Sequence, residues 1–226
     1  MGRIRGPHEA SFVGWMSAKD PDGLFGRSPT LREYVLLLGS WPGLVSGRPE
    51  PLVEDSLVLL DHLGNAHSLV DVGSGGGMPG LPLKIARPEL RVTLLEADRR
   101  KAAFLTHAAA HLGLDVDVVA ERAEIAGRGH LREAFDVATC RALAPMPVLA
   151  ELCLPLVRVG GRLLAMKGEV EDASRAIAAL GGGEQAVIPA PSAARHRGVI
   201  VVVPKISPTP AAYPRRPGVP AKRPLG

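Results

Sequence analysis

A glycine-rich run between two apolar segments is the strongest chemical feature of the sequence. The run reads Asp71-Val72-Gly73-Ser74-Gly75-Gly76-Gly77-Met78-Pro79-Gly80 and directly follows Ser68-Leu69-Val70. Glycines permit positive φ values and let a ligand approach the backbone closely. Pro79 and Pro82 suit the first turn of a helix, whose N-terminal amides remain free to bind a ligand. The run therefore predicts the pocket of a nucleotide-type cofactor.

Two fingerprints overlap in this run. Gly75-x-Gly77-x-x-Gly80 fits the motif of NAD-binding proteins. Asp71-x-Gly73-x-Gly75-x-Gly77 instead fits the first motif of methyltransferases that use S-adenosylmethionine (SAM). The carboxylate of Asp71 suits the cationic amino and sulfonium groups of SAM and would repel a pyrophosphate. We predict SAM as the cofactor and keep an NAD-binding oxidoreductase as an alternative.

Alternating strands and helices must position this run. The predicted strands are residues 68–72, 91–96, 116–119, 135–139, 162–166, 185–188 and 199–203. The predicted helices between them are residues 79–86, 99–112, 123–132, 147–157 and 169–180. This alternation predicts an α/β fold with a doubly wound, mostly parallel sheet. Together with the SAM motif, it predicts the Rossmann-like fold of the class I SAM-dependent methyltransferases. The closing strand pair has no helix between its members, which predicts an antiparallel last strand.

The segments before and after this domain differ from it in composition. The segment that precedes Thr30 is polar and rich in Gly and Pro, so we expect it to be loosely ordered. Thr30–Ser40, with Thr30 as its cap, and Pro51–Leu63 are predicted to form a small helical cap. We therefore divide the chain into an N-terminal extension and cap (1–66), a methyltransferase domain (67–205) and a basic, Pro-rich tail (206–226).

The tail has an unusual charge pattern. From Pro204 to Gly226 the chain carries five bases, no acid and seven prolines. Such a segment cannot pack a core of its own and is expected to be stiff and extended. It predicts an arm that contacts nucleic acid, with a solubilising disordered tail as the alternative.

Several site classes are excluded by composition and spacing. Cys140 and Cys153 do not have the spacing of metal ligands, so we expect reduced thiols in a cytoplasmic protein. No signal peptide is expected, and no apolar run approaches the ~20 residues that span a bilayer, so no membrane partner is expected. His107 and His111 share a helix face without a third ligand, so no metal site is predicted. We expect a monomer.

The ends of the predicted strands carry polar side chains, and ligands of open parallel sheets bind at these ends. Glu96 ends the second strand, the next strand after Gly80, and can bind a ribose diol there. The third strand leads to Glu121–Glu124, where an adenine edge is expected. The fourth strand ends at Arg141 and the fifth at Lys167.

Basic residues gather near these strand ends. Three of them, Arg99-Arg100-Lys101, open a predicted helix, where each cation opposes the helix dipole by roughly 0.3–1 kcal/mol. A bound phosphate would compensate for this cost. The bases predicted at the substrate side are Arg100, Lys101, Arg122, Arg141, Lys167 and Arg197.

Five segments resemble, in order, the bacterial small-subunit ribosomal RNA methyltransferase G family, also called glucose-inhibited division protein B. They read LVDVGSGGGMPGLPLKIARPELRVTLLEADRRKAAFL, ERAEIA, FDVATCRALAPM, GGRLLAMKG and TPAAYPRRPGVPAKRPL. The resemblance extends from Ser68 to Leu225. It implies a methyltransferase that acts on N7 of one guanine in 16S rRNA, as free RNA or in the small ribosomal subunit.

The resemblance also implies roles for individual residues. With the glycine motif, it gives these cofactor-binding residues: Asp71, Gly73, Gly75, Gly77, Met78, Glu96, Ala123, Glu124 and Arg141. It gives these RNA-binding residues, including two in the tail: Arg100, Lys101, Arg122, Lys167, Arg197, Arg215 and Arg216. The family's late arginine is Arg195 or Arg197, and we prefer Arg197.

Guanine N7 carries a free lone pair, so methyl transfer to it requires no general base. We therefore predict that Arg141 and Lys167 position the substrate and transfer no proton. One alternative is methylation of a pyrimidine at C5, with Cys140 as nucleophile. The sequence lacks the second cysteine of the motif that this chemistry requires. The resembling family has small residues at the position of Cys140.

A second alternative is a non-catalytic, ribosome-binding relative. The family's Asn-Leu-Thr stretch is absent here. Asp55-Ser56-Leu57 is present, but Leu52-Val53-Glu54 precedes it where the family carries Arg-His.

Overall fold

A seven-stranded sheet organises the computed structural model, which describes residue 26, residues 28–141 and residues 144–226. The strands are β1 (Ser68–Val72), β2 (Arg91–Leu95), β3 (Val116–Val119), β4 (Phe135–Arg141), β5 (Val157–Lys167), β6 (Ala186–Pro189) and β7 (Val199–Pro204). Their order is β3-β2-β1-β4-β5-β7-β6. β1 to β5 run parallel, and β7 runs antiparallel to β5 and β6. The predicted doubly wound α/β fold with an antiparallel last strand is confirmed.

Helices cover both faces of this sheet. They are α1 (Pro29–Ser40), α2 (Glu50–Leu57), α3 (Gly80–Ala86), α4 (Arg99–Leu112), α5 (Ala123–Ala126), α6 (Met146–Cys153), α7 (Ser174–Ala179) and α8 (Val219–Lys222). Leu69 and Val70 are neighbours in β1 but pack into the apolar clusters of opposite faces, because side chains alternate along a strand. None of the helices in the described ranges has the length and apolar content that crossing a bilayer requires.

The strand order reverses direction beside β1. The chain runs outward from β1 through β2 to β3 and then returns to place β4 on the other side of β1. Such a reversal opens a crevice at the carboxyl ends of the two central strands. The glycine-rich run therefore emerges at the position where this fold class binds its ligands.

The N-terminal cap is built from α1 and α2. Ser28, rather than the predicted Thr30, caps α1, because its Oγ accepts a hydrogen bond from the amide of Leu31 and Pro29 fills the first turn. The predicted apolar face of α1 is buried, and Tyr34 on the same face donates a 2.5 Å hydrogen bond to the carbonyl of Gly76. The cap thus contacts the glycine-rich run directly. The loose order predicted for the segment before Thr30 concerns residues that lie almost wholly outside the described ones.

Four predicted helices are shorter by several residues in the structure. The helix predicted over residues 147–157 ends at Cys153, and a 3-10 turn (Leu154–Leu156) then leads into β5. The second cap helix ends at Leu57 and is followed by a separate 3-10 turn. The helix predicted over residues 123–132 ends at Ala126. The helix predicted over residues 169–180 begins only at Ser174, whose amide donates a 3.0 Å hydrogen bond to the side chain of Asp172. Conversely, β5 is longer than predicted and extends back to Val157.

The basic tail lies against the domain. Arg128 and Arg132 donate to backbone carbonyls of Thr209, Ala212, Tyr213 and Pro214 and so fasten the tail to the segment after α5. Arg215 forms a two-pronged ion pair with Glu151 of α6, whose side chain is fully buried. The tail, which we predicted to be stiff and extended, is therefore docked on the domain, and its predicted contact with nucleic acid stays a prediction. The tail has no apolar core of its own, so the arginine side chains of the domain hold it by binding its backbone carbonyls.

We predict that Arg215→Gln destabilises the protein. The substitution leaves the buried carboxylate of Glu151 without its cation, which costs about 3 kcal/mol in the free energy of unfolding. Urea unfolding followed by circular dichroism measures this change. Arg216→Gln, at the exposed neighbouring position, is the matched control and should change stability by less than about 0.5 kcal/mol. Equal stability of the two variants would contradict the docked tail.

Candidate functional site

A cavity of about 340 Å³ opens at the carboxyl ends of β1, β2 and β3. Its volume falls within the roughly 300–1,000 Å³ range of small-molecule sites. Its lining residues are Val72, Gly73, Gly75, Leu95, Glu96, Ala97, Lys101, Glu121, Arg122, Ala123, Glu124, Arg141 and Leu152. The structure thus brings together six of the nine predicted cofactor-binding residues, which follow or end four different strands: Gly73, Gly75, Glu96, Ala123, Glu124 and Arg141.

The glycine-rich run forms the floor of this cavity. The amides of Gly73 and Ser74 both donate to the carbonyl of Leu95, at 2.8 and 3.3 Å, and so join the run to β2. Gly77 has a φ of +95°, and a Cβ at Gly80 would lie 2.5 Å from Leu94. Both positions therefore require glycine, one for its backbone conformation and one for close packing on the sheet.

Glu96 connects the end of β2 to the glycine-rich run. One carboxylate oxygen accepts the amide of Gly75 and the other accepts the amide of Asp98, each at 2.8 Å. Each oxygen has a second acceptor position, so the carboxylate can still bind the two hydroxyls of a ribose. Its predicted contact with the ribose stays a prediction, and its place on the cavity wall agrees with that role.

Asp71 lies behind the glycine-rich run rather than on the cavity wall. Its side chain is fully buried, and one carboxylate oxygen accepts the amide of Gly80 at 3.0 Å. The other oxygen has no hydrogen-bond partner among the described residues. Burial raises the pKa of Asp71 from 3.8 to about 7, against the lowering effects of Gly80, Ser74 and Arg141. A direct contact with the cofactor stays a prediction, whereas the geometry gives Asp71 a role in holding the run.

Gly77 and Met78 are also buried and do not line the cavity. The sulfur of Met78 lies 3.9 Å from a guanidinium nitrogen of Arg141. These two predicted cofactor residues therefore lie between the cavity and the N-terminal cap.

The start of α5 forms another wall of the cavity, beside the glycine-rich run and Glu96. Ala123 lines it, while the neighbouring carboxylate of Glu124 accepts two hydrogen bonds from Arg122, at 3.2 and 2.8 Å. Glu124 also accepts the amide of Gly218 in the tail at 2.9 Å. Burial opposes ionisation, yet these hydrogen bonds hold the pKa of Glu124 below its usual 4.5. The tail therefore helps to fix this wall.

Arg141 lies between the cavity and a neighbouring group of charged residues, which we call the basic cluster: Asp55, Lys167 and Arg195. It lines the cavity, and its guanidinium lies 3.9 Å from the carboxylate of Asp55 in α2. Burial lowers the pKa of Arg141, and Asp55 opposes this effect. Lys167, at the end of β5, donates to the carbonyl of Ala144 at 3.1 Å and pairs with Glu171.

Arg195 belongs to the basic cluster. Arg197, which we preferred as the family's late arginine, is exposed. Arg195 donates to Asp55 at 2.8 Å and to the carbonyl of Lys167 at 2.7 Å. The placement favours Arg195 as the late arginine of the family. Sequence reasoning did not assign a role to Asp55, although it lies in the short Asp-Ser-Leu match to the family.

The remaining predicted bases differ in their surroundings. Lys101 and Arg122 line the cavity, and Arg100 is exposed with a 3.1 Å hydrogen bond to the carbonyl of Pro42. In the tail, Arg215 is engaged by Glu151, whereas Arg216 is exposed. RNA contacts of all these residues stay predictions.

Two other predicted features have a structural explanation. Cys140 is fully buried within an apolar cluster that also contains Cys153. His107 and His111 are exposed, and the ring of His107 packs at a tilt against both Trp41 and His111. His111 also forms a hydrogen bond with Glu33. Within the described residues, no group of three or more His, Cys, Asp or Glu side chains could hold a metal ion.

Comparison with known proteins gives consistent matches. The family described as GidB, rRNA small subunit methyltransferase G, matches residues 49–180. The ribosomal RNA small subunit methyltransferase G of Roseiflexus castenholzii is 53% identical over 164 residues, which cover 70% of each chain. That of Rubrobacter xylanophilus is 44% identical over 215 residues, covering 86% of this chain and 82% of the relative.

A solved structure supports the fold. The O-methyltransferase from Bacillus cereus in complex with SAH aligns with a TM-score of 0.59 over 81% of this chain and 94% of that chain. At 19% sequence identity this likeness concerns the fold alone.

We predict that Asp71→Asn changes how stability depends on pH. Because the folded-state pKa of Asp71 is about 7 and the ordinary value is 3.8, the folded protein binds a proton that the unfolded chain has released between these values. This group therefore lowers the free energy of unfolding as pH rises from about 4 to 7. Asparagine keeps the hydrogen bond from Gly80 but removes this loss. Relative to wild type, the variant should gain about 2–3 kcal/mol between about pH 5 and pH 8.

Urea unfolding at both pH values measures this difference. Asp117→Asn, at an exposed position of β3, is the control and should show the same change in stability at both pH values. An Asp71→Asn variant whose stability relative to wild type does not vary with pH would refute the raised pKa.

Proposed function

The chain belongs to the rRNA small subunit methyltransferase G family, and from this premise we propose that it transfers the methyl group of SAM to N7 of a guanine in 16S rRNA. It is a SAM-dependent methyltransferase, as this family membership shows, so the predicted cofactor and enzyme class are confirmed. The observation that carries the proposal is the position of Arg141. This residue lines the cavity at the glycine-rich run and also borders the basic cluster around Lys167 and Arg195.

We assign the cavity to the cofactor. Gly73 and Gly75 offer backbone without side chains, Glu96 binds the ribose, and Ala123 lies against the adenine. Glu124 supports this wall from behind through Arg122 and the tail. When SAM is bound, it supplies an electrophilic methyl group on a sulfonium. The protein's own task is to orient that group toward the acceptor.

The acceptor guanine enters beside Arg141 and Lys167. Both residues sit at the ends of adjacent strands, since Arg141 of β4 is in register with Met166 of β5. Guanidinium and ammonium groups donate hydrogen bonds to guanine O6 or to phosphate. They leave the N7 lone pair free to attack the methyl carbon. No proton has to leave N7 first, so neither residue needs to act as a base.

The RNA backbone is bound by bases around the cavity. Lys101 and Arg122 line its rim, and the exposed residues Arg100, Arg197 and Arg216 extend the positive surface. Phosphate contacts of this kind orient a nucleic acid without reading its sequence. Arg215 is assigned to docking of the tail through Glu151 as well as to the predicted RNA contact.

Methylation of a pyrimidine at C5 is disfavoured by the burial of Cys140. A nucleophilic thiol has to reach the pyrimidine ring, but Cys140 is fully buried and packs with Cys153. The short Asp-Ser-Leu match supports a catalytic role over a non-catalytic relative, because Asp55 of that match binds Arg195 of the basic cluster.

We also propose the setting in which this reaction takes place. The substrate is 16S rRNA, free or in the small ribosomal subunit, and the protein acts as a monomer in the cytoplasm. Its catalytic unit is residues 67–205, supported by the cap within residues 1–66 and by the docked tail at residues 206–226.

We predict that incubation with SAM places 7-methylguanosine at one site in 16S rRNA. Undermethylated 16S rRNA and 30S particles serve as parallel substrates. Nuclease digestion followed by mass spectrometry identifies the modified nucleoside and its position. A methylated pyrimidine, or the absence of methyl transfer to both substrates, would contradict the proposed function.

Cys140→Ser is the matched variant for this experiment. The buried thiol has no role in the proposed chemistry, so the variant should still form 7-methylguanosine. Complete loss of methyl transfer by a folded Cys140→Ser protein would instead favour cysteine chemistry.

A further inference from the structure

A buried carboxylate links the N-terminal cap to the acceptor side of the site. Asp55 of α2 is fully buried and accepts a 2.6 Å hydrogen bond from the hydroxyl of Ser192. Both of its carboxylate oxygens also accept a hydrogen bond from the Nε of Arg195, at 3.0 and 2.8 Å. Arg141 lies 3.9 Å away on another side. One anion therefore serves two arginines from different parts of the chain.

The guanidinium of Arg195 is held in a single orientation. Its Nε faces Asp55, and its Nη1 donates to the carbonyls of Lys167 and Val199, at 2.7 and 3.0 Å. Its Nη2 is buried and has no hydrogen-bond partner in the part of the chain that the structure describes. A buried donor without an acceptor is costly, so Nη2 is the group of this guanidinium that remains for a ligand to satisfy.

We propose that Asp55 is a positioning residue for methyl transfer, which holds Arg195 and Arg141 toward the acceptor base and offsets their positive charge. This inference rests on the proposed function. It assigns to the N-terminal cap a part in the reaction at the end of the sheet.

The charge balance of the reaction explains the need for this anion. The N7 lone pair forms the new bond to the methyl carbon as the carbon–sulfur bond breaks and its electron pair stays on sulfur. One positive charge thus moves from the sulfonium to the purine. The nearby cations Arg141, Arg195 and Lys167 oppose charge on the purine, and this repulsion is weakly screened in a buried site. Asp55 and Glu171 offset two of these three charges.

A double-mutant cycle of Asp55→Asn and Arg195→Gln tests the proposal. For each variant, kcat and KM for 16S rRNA, the dissociation constant of SAH, and Tm are measured. We expect each single variant to lower kcat by about 30- to 100-fold and to change SAH affinity by less than about threefold. The double variant should lose little more than the worse single variant, because both act through one interaction.

Asp136→Asn is the matched control for loss of a carboxylate–arginine pair. Asp136, at the start of β4, pairs with Arg158, at the start of β5, so this ion pair lies at the opposite end of the strands from the cavity. Its substitution should lower Tm without lowering kcat at a temperature well below both transitions. An Asp55→Asn variant that behaves in the same way, with normal kcat and a lowered Tm, would overturn the positioning role.

Ser192→Ala gives a milder test if Asp55→Asn does not fold. It removes only the hydroxyl that donates to Asp55 and accepts the amide of Arg195. We expect kcat to fall by about 3- to 10-fold with unchanged SAH affinity. Unchanged kcat for Ser192→Ala and for Arg195→Lys would overturn the proposal.

The wild-type product distinguishes failure of this inference from failure of the proposed function. Formation of 7-methylguanosine by wild type, together with unchanged turnover by the folded variants, overturns this inference alone. A different wild-type product overturns the proposed function and this inference with it.

Discussion

The hydrogen bond between the amide of Gly80 and the buried carboxylate of Asp71 ties the end of β1 to the start of α3. This bond fixes both ends of the intervening run, so the glycines must cross the carboxyl end of the sheet as a tight loop. Gly80 packs so closely on Leu94 that no side chain fits there. The cavity wall, the orientation of Glu96 and the contact with Tyr34 of the cap all depend on where this loop lies. The cost is a carboxylate with one unpartnered oxygen and a pKa raised by burial to about 7.

Charge is distributed differently on the two sides of the cavity. On the cofactor side, the anions Glu96 and Glu124 are held by backbone amides or by Arg122, which suits a ligand with hydroxyls and a positive sulfonium. On the acceptor side, cations dominate, and the buried anion Asp55 comes from the N-terminal cap. Arg141 belongs to both sides. Under the proposed function, this division allows one small domain to hold a cationic cofactor and an anionic nucleic acid next to each other.

The sequence was sufficient for the features that depend on local pattern. The bounds of β1, β3 and α4 were predicted as observed, because apolar runs and the caps Asp98 and Gly113 mark them clearly. Long-range contacts were not predictable in this way. The docked tail depends on a buried partner more than 60 positions away, and Asp55 meets Arg195 across 140 positions. A choice between Arg195 and Arg197 likewise needed the turn that places only one of them beside Lys167.

A crystal structure of the protein with SAH bound is the most direct test of the central claim that the cavity at the glycine-rich run is the cofactor site. We predict that the ribose hydroxyls lie within about 3.2 Å of the Glu96 carboxylate, which is hydrogen-bond distance. We also expect the adenine against Ala123 and the sulfur directed toward Arg141. Density for SAH outside this cavity, or a ribose that makes no contact with Glu96, would contradict this claim.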